Sequence, residues 1–208
     1  MQLQHPFRAI APSVDGDVLH VLASIHGALT IADLTRLISE RSRTGIFLAA
    51  ERLVSQGILL RDIVGRTRSY RLNDAHILAE PVRAIADARA TLLDRLREIA
   101  GTLDASYVAL FGSAATGTMT PESDIDIIAI RHPDHTADWD AQVAAAAGNI
   151  TRLTGNDARI IDILESDLEA PEYASLLEEI LAEGVTLSGD DRVVRAARNR
   201  LRKRDRST

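Results

Sequence analysis

The sequence predicts an α+β fold in two parts, and three observations carry that reading. Residues 13–74 read as three helices followed by a two-stranded hairpin. From Ser106 onward, short apolar strands alternate with amphipathic helices. Between these regions, Asn73 to Pro81 interrupts both patterns with polar and turn-forming residues. The expected organisation is a unit over 13–74, a connecting helix over 75–100, an α/β unit over 101–189 and a basic tail over 190–208.

The first helix is expected to start at Asp15 or Asp17 and run through Ile25, with Val18, Leu19, Leu22 and Ile25 on one face. Thr30 caps a second helix over Ile31 to Ile38. Ser42 or Thr44 opens a third, which runs to Gln56 and stops at Gly57. Ile58 to Val64 then alternates as a strand, Gly65-Arg66 turns it, and Thr67 to Leu72 returns. Over Leu29 to Leu72, LTIADLTRLISERSRTGIFLAAERLVSQGILLRDIVGRTRSYRL, this order resembles a winged helix-turn-helix. That resemblance implies a third helix in the major groove of DNA and a wing on the backbone. Arg41, Ser42, Arg43 and Thr44 at the helix start, and Arg66 and Arg68 at the wing tip, are the expected DNA contacts. A solvated arginine face on a protein-binding winged helix is the competing reading.

Pro81 suits the first turn of a long helix to about Ala100, with Val82, Ile85, Ala86, Leu92, Leu93 and Leu96 apolar. Tyr107 to Phe111, Ile125 to Ile130 and Arg159 to Leu164 read as strands. Ala137 to Leu153 and Pro171 to Ala182 read as helices, and Gly184 to Leu187 as a final extended piece. A small mixed sheet follows from that order.

The chemistry lies in LFGSAATGTMTPESDIDIIAI. Gly112 lets a backbone approach a triphosphate closely, and Ser113 can donate to phosphate oxygens. Asp124 and Asp126 alternate, so both face one side of a strand. Two adjacent carboxylates repel unless a cation neutralises them, and hard oxygens suit Mg²⁺. Gly112-Ser113, ten residues, then Asp124-Ile125-Asp126 matches G-S-x(10)-D-x-D, and the region from Ala100 to Leu187 resembles the minimal nucleotidyltransferases of the DNA polymerase beta superfamily. The resemblance implies two Mg²⁺ ions, a nucleoside triphosphate (ATP is the expected one) and a third carboxylate on a neighbouring strand. Asp162 in ARIIDILES is the candidate, as a metal ligand that also acts on the acceptor; Glu165 and Asp167 fall at the strand end and suit the role less. One departure stands out. Many relatives carry a basic residue before the second glycine, where Gly112-Ser113-Ala114-Ala115-Thr116-Gly117 has Thr116.

Three features remain. The tail holds eight basic residues from Arg192 to Arg206; it can contact nucleic acid, pack on the acidic domain, or stay unstructured. Arg71-Leu72-Asn73-Asp74-Ala75-His76 fits the short R-φ-x-x-x-H signature of HEPN ribonucleases, but falls at the end of the wing and reads as chance. The other histidines, His5, His20, His26, His132 and His135, show no ligand spacing; His132 and His135 flank a Pro-Asp turn at the surface.

Composition narrows the classes. The chain has no cysteine, which excludes disulfides, thiol nucleophiles and thiolate metal sites. No signal peptide or membrane-spanning run is visible, so a cytoplasmic protein without a membrane partner is expected. The net charge of -6 is uneven: arginines cluster over Arg36 to Arg71 and in the tail, acids between Asp124 and Glu183. Two functions follow. One is a Mg²⁺-dependent transferase moving a nucleotidyl group to a protein, RNA or small-molecule acceptor, with a toxin–antitoxin system as one setting. The other is a DNA-binding regulator, expected to act as a homodimer, whose second domain senses nucleotide with little turnover.

Overall fold

The computed structural model describes residues 2–133 and 138–205. It divides into two compact units, Gln2–Ala90 and Thr91–Thr208.

In the first unit, α1 (Phe7–Ile10) precedes α2 (Val14–Ser24), β1 (Leu29–Thr30), α3 (Ile31–Leu37) and α4 (Arg43–Ser55). The hairpin β2 (Leu59–Val64) and β3 (Thr67–Leu72) follows, with β1 added antiparallel to β3. Local chemistry sets the helix starts. Thr30 and Asp33 form a reciprocal capping box, and the Ser42 hydroxyl accepts from the Gly45 N–H. The start of α2 differs from expectation: Ser13 caps it, which frees Asp17 for another task. Asp17 is buried and receives Arg41 at 2.7 Å and Arg8 at 3.1 Å. Burial opposes its charge, but the two arginines outweigh burial and hold its carboxyl below the usual range. Val18, Leu22, Leu34, Ile46, Leu53 and Tyr70 form the centre of this unit's core.

The expected long helix is two, α5 (Ala79–Ala86) and α6 (Ala88–Ala100), interrupted at Asp87. Ala79 and Val82 of α5 belong to the first unit's core. Leu96 and Ala100 of α6 instead lie beside Val108, Ile127 and Ile160 of the second unit's sheet. An apolar stripe continuous in sequence thus serves two cores.

The second unit is built on β4 (Ala105–Phe111), α7 (Gly112–Thr116), β5 (Ile125–Arg131), α8 (Trp139–Thr154), β6 (Ala158–Leu164), α9 (Ala174–Glu183), β7 (Val185–Gly189) and α10 (Arg192–Asp205). The sheet order is β6-β5-β4-β7, with β5–β6 parallel and the other two pairs antiparallel. One face, carrying Ala109, Ile128, Ile130 and Ile163, packs with Leu177 and Ile180 of α9 and Val194, Ala197 and Leu201 of α10. The opposite face meets Ala146 and Ile150 of α8. The basic tail is therefore a core helix over its described length; Arg206 lies outside the described residues. Its outer arginines are matched by acids: Arg198 and Arg202 meet Glu178, and Arg200 and Arg204 meet Glu169.

Arg71 lies on β3 and pairs with Asp62, while the His76 imidazole accepts from the Leu78 N–H in a turn. That arrangement is unlike one face of a helix. His132 is about half exposed; His135 lies outside the described residues.

Candidate functional site

The site forms where β4 ends and β5 begins. Phe111 pairs with Asp126, so the chain leaving β4 passes directly beside that carboxylate. Gly112 takes φ +66°, and a Cβ there would stand 3.0 Å from Asp126 Oδ2. A side chain at 112 would thus combine an unfavourable backbone with a crowded neighbour. Ser113 follows as the second residue of α7, a helix that no side chain caps.

Asp124 is held from behind. The buried Asn156 donates its side-chain amide to Ser123 O at 2.7 Å and Pro121 O at 3.3 Å. The Ile125 N–H donates to Asp157 O at 2.8 Å. Sequence reasoning passed over Asn156. Its one available signal was a polar residue directly after Gly155, the left-handed stop of α8.

Burial, then the charge of Asp124, push the Asp126 carboxyl above its usual value, while Arg159 works against them. Among the described residues, no hydrogen bond reaches the Asp126 carboxylate. A partly buried acid beside another acid favours a cation or a proton in the space between them.

The third expected acid does not join them. Register decides this: Asp126 pairs with Arg159, and Ala129 with Asp162. Paired residues share a face and successive residues alternate. Asp162 therefore lies on the face of α8, not on that of Asp126. There the Trp139 indole N–H donates to its Oδ2 at 3.1 Å, and Arg131 Nε stands 3.7 Å away. The position beside Asp126 belongs to Arg159, whose guanidinium meets Asp124 at 2.8 Å. Thr116, in place of the usual base, turns its hydroxyl back on Gly112 O and towards Thr118.

The carboxylates present are too few for the implied metal pair. Two carboxylates on one face fit a single hard cation. They do not fit two, because the third ligand position holds a guanidinium. Among the described residues, no group of three or more His, Asp or Glu side chains could hold a metal ion.

The expected DNA contacts divide likewise. Arg41 is committed to Asp17, and the Ser42 hydroxyl to its helix cap. Arg68 lies over the Phe47 ring at 5.6 Å and 3.8 Å from Glu51. Arg43, Thr44 and Arg66 are exposed, and no ion pair to a described residue engages either arginine.

A bifunctional uridylyltransferase/uridylyl-removing enzyme of Bradyrhizobium diazoefficiens is 38% identical over 99 residues, 48% of this chain and 10% of that protein. The chain thus spans about a tenth of the length of the curated relative it matches. A crystal structure of a toxin-antitoxin with AMP-PNP aligns with TM-score 0.37 and 19% identity, over 58% of this chain and 86% of that one. A mutant of the toxin-antitoxin MntA-HpeT aligns with TM-score 0.40 and 17% identity, over 57% and 87%. The family model described as the nucleotidyltransferase domain matches residues 90–188, the stretch that holds Gly112, Ser113, Asp124 and Asp126.

Proposed function

We propose that the chain binds a nucleoside triphosphate, ATP by expectation, at Gly112, Ser113, Asp124 and Asp126 and transfers its nucleotidyl group to a protein or RNA acceptor. The approach of Gly112 to Asp126 within the matched domain carries this reading. The bare glycine and the first N–H groups of α7 would receive the phosphates, and Ser113 would donate its hydroxyl. A divalent cation on Asp124 and Asp126 would supply charge neutralisation at the phosphates. The acceptor oxygen would attack the α-phosphorus, pyrophosphate would leave, and the acceptor proton would pass to solvent. Asp162 takes no part, since it faces the other way.

The first unit is proposed as a winged helix that binds DNA through Arg43, Thr44 and Arg66. A chain without cysteine suits the reducing cytoplasm proposed as its setting. A toxin–antitoxin pair would supply both a macromolecular acceptor and a reason to bind DNA.

The decisive experiment incubates the protein with Mg²⁺, each α-³²P-labelled nucleotide and cell extract, beside an Asp124→Ala, Asp126→Ala variant. Label transfer lost in the variant is the expected result. Equal labelling by both proteins would end the proposal.

The Arg159–Asp124 pair favours a second reading, a DNA-binding regulator that senses nucleotide with little transfer. It expects ATP to change DNA affinity measured across a salt series. Superimposable curves with and without ATP would dismiss it.

A further inference from the structure

The proposed function leaves a charge problem. A triphosphate brings several negative charges to a site already holding Asp124 and Asp126. The expected solution, two cations on three carboxylates, does not fit, because the register puts Arg159 beside Asp126. Nor does α7 offer a base, since Thr116 occupies that place and bonds within its own turn.

We infer that Arg159 replaces both the third carboxylate and the second cation, as a phosphate-binding residue that lets this site take a triphosphate with at most one divalent ion. This rests on the nucleotide-binding reading above. Three observations support it. Arg159 shares a face with Asp126, on the adjoining strand. Its guanidinium meets Asp124 at 2.8 Å, so it reaches the place where charge is needed. Its side chain is 66% exposed, which leaves much of its planar set of donors open to phosphate oxygens. An exposed ion pair is weakly held, so the guanidinium can exchange Asp124 for phosphate without a large barrier. In the absence of ligand, the same arginine competes with a metal ion for Asp124.

The test compares wild type with Arg159→Ala and Arg159→Asp, with Arg152→Ala as a control on an exposed arginine of α8. Circular dichroism checks folding. Mn²⁺ binding to the nucleotide-free protein is followed by electron paramagnetic resonance. Arg159→Asp is expected to bind Mn²⁺ about tenfold or more tightly than wild type, because a repelling charge becomes a ligand. Arg159→Ala is expected between them. ATP binding is then measured calorimetrically in EDTA. Wild type and Arg152→Ala should bind alike, and Arg159→Ala about tenfold more weakly.

Equal Mn²⁺ affinity in wild type and Arg159→Asp, or two Mn²⁺ ions per wild-type chain, would overturn the inference. So would unchanged ATP binding by Arg159→Ala. Failure of wild type to bind any nucleotide, even with Mg²⁺, would remove both the proposed function and the phosphate role. The Mn²⁺ comparison would still decide whether Arg159 occupies a ligand position.

Discussion

The two units use arginine in opposite ways. The first has eleven arginines against nine acids, while residues 91–208 have thirteen basic residues against twenty-one acids. In the first unit a buried acid, Asp17, organises two arginines, and Arg43 and Arg66 project free of ion pairs to described residues. In the second, an exposed arginine answers the acids of the site, and four more on α10 are matched to Glu169 and Glu178. A cluster of arginines in sequence is thus not a basic surface. What matters is which acids the fold brings to it.

The largest expected effect tests the first half of that contrast. Asp17→Asn leaves two guanidinium groups without their buried partner and should cost roughly 3 kcal/mol in urea unfolding of the first unit. The sign with pH follows. A depressed folded value means that the stabilisation is present above the unfolded value of 3.8 and is lost as pH falls through the lower folded value. The wild-type advantage over the variant should therefore shrink only in strong acid.

Asn156→Ala sharpens the second half. Its amide fixes the two carbonyls just before Asp124, so its loss should cost about 2 kcal/mol and weaken nucleotide binding together with stability. Normal binding in a destabilised variant would show that Asp124 needs no such support.

The DNA prediction separates arginines that sequence alone cannot rank. Arg43→Ala with Arg66→Ala should weaken DNA binding and reduce the salt slope by about 2. Arg41→Ala should act through stability instead. Equal loss of slope for Arg41→Ala and Arg43→Ala would mean that the Asp17 pair opens on DNA.

The smallest effect concerns Asp126. Its carboxyl is raised by burial and by Asp124, so ionisation costs stability as pH rises from 3.8 through the folded value. Asp126→Asn should unfold at higher temperature than wild type near pH 7, by a gain of less than about 1 kcal/mol, and the gap should close at low pH. Function and stability are then opposed at one residue.

Much of this was legible in the chain because the deciding chemistry is local. Thr30 and Ser42 announce their helices, and Gly65-Arg66 separates the two hairpin strands as read. The pair Asp124 and Asp126 is set by alternation within one strand. The third position is set by pairing between strands, and β6 offers little burial alternation from which its face could be read. Asp162 sits in an apolar run, yet Trp139, 23 residues earlier, accounts for it. The helix interruption at Asp87 was hidden for a similar reason. The stripe on either side is equally apolar, and nothing in it says that the two halves serve different cores.

The docking of α10 has a consequence for how the protein is made. Val194, Ala197 and Leu201 complete the core against α9 and the sheet. During synthesis, the second unit cannot close that core until Leu201 has left the ribosome, whereas the first unit has its partners within 90 residues. A nascent chain would therefore fold its proposed DNA-binding unit first, and its proposed nucleotide site would mature only after α10 has emerged.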